Sequence, residues 1–202
     1  MSTKLIDFDI QIKEETGAKL ICGVDEAGRG PLAGPVCACA IIMREDNIID
    51  EINDSKKLSE KKRGLLYDVI LENALAVNTV MIDERAIDEI NILNATMLAM
   101  KTAIDGLSVT PELAIIDGNC NRGIENSRCI VKGDALSYNI AAASIIAKET
   151  RDRYMREIAK EYPEYGFEVH KGYGTKAHRE ALLSYGPCKI HRMSFLTKIL
   201  GG

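Results

Sequence analysis

The chain has 202 residues, with 26 basic and 30 acidic side chains and a formal net charge of −4, which suits one domain with a substantial core. Tryptophan is absent and only 5% of residues are aromatic, so the core must be mainly aliphatic. No run of about 18 apolar residues exists, which argues against a membrane-spanning helix; the N-terminus carries no apolar signal segment, and a cytoplasmic protein is expected.

Residues 1–19 alternate charged and isolated apolar positions and predict an amphipathic helix. Residues 20–24 form an apolar run that reads as a buried strand, followed at once by Asp25 and Glu26. Gly28, Gly30, Pro31 and Gly34 then predict a tight turn in which backbone can approach a ligand. Residues 36–43 are a second strand, antiparallel to the first. Successive strand residues point to opposite faces, so Asp25 and Glu26 reach one site only if the first strand ends or bends there.

Ser59 predicts an N-cap and Glu60 favours the positive first turn of a helix running to about residue 73 and burying Leu65, Leu66, Val69 and Ile70. Residues 74–82 read as a third strand. Residues 83–106 read as helical, with a broad apolar stripe and with Asn91 and Asn94 as candidate breaks. A short apolar strand over 113–116 ends in Asp117-Gly118-Asn119, and a fifth strand over 128–131 ends in Lys132-Gly133-Asp134. Ser137 predicts the cap of a long, initially alanine-rich helix to about residue 162. A glycine-rich loop, a short helix over 177–184 and a basic tail complete the chain. The order implies an α/β fold: a mixed five-stranded sheet with helices on both faces. No repeat or linker divides it, so 1–202 reads as a single domain.

The six cysteines, Cys22, Cys37, Cys39, Cys120, Cys129 and Cys188, include no C-x-x-C pair and read as small, reduced hydrophobes. Charge is uneven. Residues 132–202 hold 12 basic and 8 acidic side chains, a net of +4, which leaves −8 for residues 1–131. All three histidines, His170, His178 and His191, lie in the basic part. That asymmetry fits an acidic site facing a basic binding surface.

Asp25, Asp117 and Asp134 each follow a strand, directly or across a short turn, and strand ends at one edge of an α/β sheet are where crevices form. Clustered carboxylates repel one another, and a divalent cation removes that penalty. Oxygen ligands without His or Cys favour Mg²⁺ or Mn²⁺ over Zn²⁺. Carboxylates holding such an ion point to phosphoryl transfer or phosphodiester hydrolysis. No phosphate-cradling glycine loop of either common type is present, and no hydrolytic triad has support.

The stretches GVDEAGRGPLAGPV, DSKKLSEKKR, AIIDGN, VKGDALSYNIAAASIIAKETRDRYM and YGFEVHKGYGTKAHREAL together resemble bacterial ribonuclease HII, the type 2 ribonuclease H, from about Leu20 to Phe195. The resemblance implies a ribonuclease H-like fold with a helical C-terminal extension, over about 163–202, that contacts substrate. It implies hydrolysis of RNA in RNA–DNA hybrids and nicking beside single ribonucleotides in duplex DNA, with 3′-hydroxyl and 5′-phosphate products. It makes Asp25, Glu26, Asp117 and Asp134 the acids that bind Mn²⁺ or Mg²⁺. It matches Gly28, Arg29 and Gly30 to a loop that reads the ribose 2′-hydroxyl, Tyr173 to a ring packed on the following sugar, and Lys56 to a phosphate contact. It assigns no role to the three histidines. A monomer with no membrane partner is expected.

Overall fold

The computed structural model describes residues 2–52 and 58–201. Five strands form one sheet in the order β3-β2-β1-β4-β5: β1 (Ile21–Ala27), β2 (Val36–Met43), β3 (Ala74–Ile82), β4 (Leu113–Asp117) and β5 (Ser127–Ile130). The pairs β1–β2 and β2–β3 are antiparallel, whereas β1–β4 and β4–β5 are parallel. This is the mixed sheet expected from the sequence, with β2 and β3 at the predicted bounds.

Both faces are covered, which is why β2 is apolar throughout. Alternate residues Cys39, Ile41 and Met43 pack with α4 (Tyr138–Ile158), α2 (Glu60–Asn73) and Leu5 of α1 (Ser2–Thr16). Ala38, Ala40 and Ile42 pack on the other side against Met97, Met100 and Ala103 of α3 (Glu84–Asp105). Gly23 lets α4 start directly on β1: a Cβ there would lie 2.2 Å from the Asn139 carbonyl carbon. A third apolar cluster joins Met155 and Ala159 to the C-terminal helices α5 (Phe167–His170), α6 (Lys176–Tyr185) and α7 (Met193–Leu200) through Phe167, Leu182 and Leu196.

The caps follow their chemistry. Ser59 and Ser137 accept from Lys62 N and Ile140 N. Asn91, at φ 65°, interrupts α3 and its side chain accepts from Leu93 N and Asn94 N, so it starts a second helix within the first; Asn94 does not break it. Several expectations need correction. The face α2 buries is Arg63, Leu66 and Ile70, while Leu65 and Val69, each one position earlier than a buried residue, are 65% and 39% exposed. Helix α4 ends at Ile158, with Ala159 as its cap, before the predicted residue 162. The basic tail contains α7. No helix among the described residues is long and apolar enough to cross a membrane. All six cysteines are free thiols.

Candidate active site

Strand β1 does not stop at Val24; it runs on through Asp25 and Glu26 to Ala27. Its parallel pairing with β4 does stop there, at Val24↔Ile116, and beyond it only β2 remains as partner. The acids therefore occupy a one-sided strand end, beside Asp117 at the end of β4. Asp25, Glu26 and Asp117 line one cleft of about 420 Å³, together with Gly28, Arg29, Gly30 and Tyr173. The predicted acid end of the sheet and the late glycine-rich loop meet in space.

Asp25 is 4% exposed. Burial first, and then the negative charges of Glu26 and Asp117, raise its carboxyl well above the ordinary range; hydrogen bonds from the Ser144 side chain and the Glu26 N–H oppose this only in part. Asp117 accepts from Gly133 N–H at 2.6 Å, tying the end of β4 to the turn Gly133–Ala135. That turn holds Asp134, itself buried, which does not join the described residues lining the cleft. Among the described residues no three His, Cys, Asp or Glu side chains form a ready-made metal cage.

The first loop is fixed from within. Gly28 has φ 96°, and a Cβ there would lie 2.1 Å from Arg151 Nε and 2.8 Å from Pro35 O. Its missing side chain thus makes room for the protein's own buried arginine, not for a ligand. Arg151 donates to Pro35 O, Lys171 O and Ala33 O at 2.8, 3.0 and 3.0 Å, bridging the first loop to the tyrosine loop. Gly30 differs: the nearest atom to a Cβ there is Tyr173 Cε1 at 3.8 Å, so loop and ring face each other. The Arg29 side chain is exposed and lies 3.5 Å from Glu26 Oε1. Lys56 lies outside the described residues.

Sequence reading missed three polar residues of the cleft wall: Arg63, Ser144 and Lys148. Lys148 Nζ donates to Asp152 at 2.6 Å and lies 5.9 Å from the Tyr173 ring centre. Arg63 donates to the same carboxylate at 3.2 Å and faces Glu149 at 3.6 Å. A weak signal was available: Ser144, Lys148 and Asp152 recur at i, i+4 and i+8 on α4, which places them along one stripe of the helix.

Residues 22–198 match the family model described as Ribonuclease HII. A curated ribonuclease HII of Caldicellulosiruptor bescii is 56% identical over 96% of this chain and 95% of its own length. Among solved structures, ribonuclease H2 of Pyrococcus horikoshii OT3 is 26% identical with a TM-score of 0.73, covering 89% of this chain and 96% of that one. Ribonuclease HII of Archaeoglobus fulgidus, solved in complex with PCNA, is 26% identical with a TM-score of 0.76, covering 88% and 94%.

Proposed function

This chain belongs to the ribonuclease HII family and is a ribonuclease H, which cleaves RNA in RNA–DNA hybrids; from that premise we propose a Mn²⁺- or Mg²⁺-dependent endonuclease that also nicks duplex DNA 5′ of a single embedded ribonucleotide. The products are a 3′-hydroxyl and a 5′-phosphate. The enzyme acts as a monomer, on hybrids and on ribonucleotide-containing DNA, with 1–202 as one catalytic domain whose segment 163–202 reaches the substrate.

The observation that carries this reading is the buried Asp25 carboxyl, raised by burial and by Glu26 and Asp117 in the same cleft. Such a group is costly to ionise without a counter-charge, and a bound cation reverses that. Asp25, Glu26 and Asp117 from the cleft, with Asp134 from the adjoining turn Gly133–Ala135, would hold it. A preformed cage is not required, since Mg²⁺ is commonly bound by one or two carboxylates plus substrate phosphate and keeps several waters. When bound, the ion supplies an activated water and charge stabilisation at the phosphate. The Ser144 hydroxyl orients Asp25. Arg63 and Lys148 present positive charge to phosphate, with Lys56 as a further contact. The Gly28-Arg29-Gly30 backbone reads the 2′-hydroxyl, the one group that distinguishes ribose from deoxyribose. Tyr173 packs on the next sugar.

The test is cleavage of a DNA duplex carrying one ribonucleotide, with Mn²⁺, with Mg²⁺ and with chelator. A single nick 5′ of the ribonucleotide, dependent on metal, is expected. Cleavage in chelator, or equal cleavage of an all-DNA duplex, contradicts the proposal.

A further inference from the structure

The segment before α7 delivers two adjacent buried side chains, His191 and Arg192, to the two loops that flank the cleft. Main-chain bonds seat it there: Gly34 N–H donates to Ile190 O and Arg192 N–H to Leu32 O, at 2.8 and 2.9 Å. Arg192 has no exposed surface, and its guanidinium donates to Gly28 O at 2.6 Å, Arg29 O at 2.9 Å and Gly34 O at 2.7 and 2.9 Å. In a trans peptide the C=O and the following N–H point in opposite directions. Drawing the Gly28 and Arg29 carbonyls onto Arg192 therefore turns the N–H groups of Arg29 and Gly30 away from it. These are residues that line the cleft.

His191 acts on the other loop through a chain of hydrogen bonds. Cys188 N–H donates to His191 Nδ1 at 2.9 Å, so that ring carries its proton on Nε2. His191 Nε2 and His178 Nε2 are 3.0 Å apart, so His178 accepts there and carries its own proton on Nδ1. His178 Nδ1 in turn donates to the Tyr173 carbonyl at 2.9 Å. The alternation of donors and acceptors admits one neutral tautomer for each ring. His170 stacks on His178 at 4.5 Å between ring centres and accepts from Gly172 N–H at 3.2 Å, which fixes the residue before Tyr173. Burial lowers the basicity of both linked imidazoles, which keeps them neutral near pH 7.

We propose that the His191-Arg192 dipeptide is a positioning element for junction recognition. From one point it sets the separation between the ribose-reading loop and Tyr173, so a ribonucleotide and the sugar after it are tested as a pair. The proposal rests on the roles given to that loop and to Tyr173 under the proposed function.

The test measures kcat and KM on a continuous RNA–DNA hybrid and on a DNA duplex with one ribonucleotide. His191→Phe breaks the chain at similar volume and should lower kcat/KM on the single ribonucleotide about tenfold more than on the hybrid. His191→Gln keeps an N–H for His178 and should recover most of that loss. In a Tyr173→Ala background His191→Phe should not change the substrate ratio further, because two residues acting through one contact are not additive. Arg192→Lys cannot span three carbonyls and should lower both substrates alike. Nitrogen NMR of the three isotope-labelled histidines reads the tautomers without substrate. Protons on His178 Nδ1 and His191 Nε2 are expected, and either ring in the opposite tautomer overturns the proposal. An unchanged ratio in Tyr173→Ala removes the role of Tyr173 and the proposal with it. A changed ratio in Tyr173→Ala, with none in a folded His191→Phe, removes the positioning role alone.

Discussion

The two walls of the cleft are built on opposite principles. On the acid wall, Asp25 is buried beside Glu26 and Asp117, and its ionised form is disfavoured by burial and by like charge. On the loop wall, the carbonyls of Gly28, Arg29, Ala33, Gly34, Pro35 and Lys171 each accept a hydrogen bond from a buried guanidinium. The first wall carries an electrostatic cost that a ligand can relieve, and the second is over-determined so that its shape does not yield. On the proposed function, strain falls where charge would be bound, and rigidity where a single hydroxyl would be told from hydrogen.

Substitutions can break this contrast. The largest effect is expected at Asp25: Asp25→Asn should lower cleavage by about three orders of magnitude, by analogy with the loss of other strong electrostatic groups, while its circular dichroism stays that of the wild type. Near-normal activity at saturating metal would remove Asp25 from the site.

The loop wall should respond through stability. Gly28→Ala combines a positive φ with a Cβ 2.1 Å from Arg151 Nε, and should cost about 2–4 kcal/mol by urea melting. Gly30→Ala has open space, with Tyr173 at 3.8 Å, and should cost less than about 1 kcal/mol. Equal costs at the two glycines would mean that the guanidinium frame does not set the loop.

The smallest effect is in pH dependence. Burial lowers His191 to about 4 from an ordinary 6.5, so the unfolded chain binds the proton more readily. Its contribution to stability is present above pH 6.5 and is lost as pH falls through 4. The gap in melting temperature between wild type and His191→Phe should therefore narrow over that window. A gap independent of pH would mean that the ring is not held neutral.

Much of this was legible in the sequence. The unbroken apolar run of β2, and the caps at Ser59 and Ser137, are local chemistry and needed no tertiary information. The acids were placed at strand ends by the same local reading, although β1 continues through Asp25 and Glu26 because β2 still pairs with them there. What was not legible depends on distant contacts. Leu65 and Val69 look as apolar as Leu66 and Ile70, and only the position of α4 decides which face is buried. Arg63 and Lys148 come together only through the Asp152 carboxylate, which both contact. The resemblance gave the histidines no role, and the link between His178 and His191 comes from contact between α6 and the segment before α7. Helix α5 has only four residues, too few for a periodic signal.

On the proposed function, the acid wall is held at a cost which a divalent cation removes. Thermal melting of wild type and Asp25→Asn, with and without Mn²⁺, measures it directly. Because burial and like charge raise the Asp25 carboxyl, the metal-free wild type loses stability as pH rises from the ordinary carboxylate range through that raised value, and Asp25→Asn should not share this loss. At neutral pH without metal the variant should melt at or above the wild type, and Mn²⁺ should raise the wild type alone. A variant that melts well below the metal-free wild type, or that gains as much from Mn²⁺, would contradict the account.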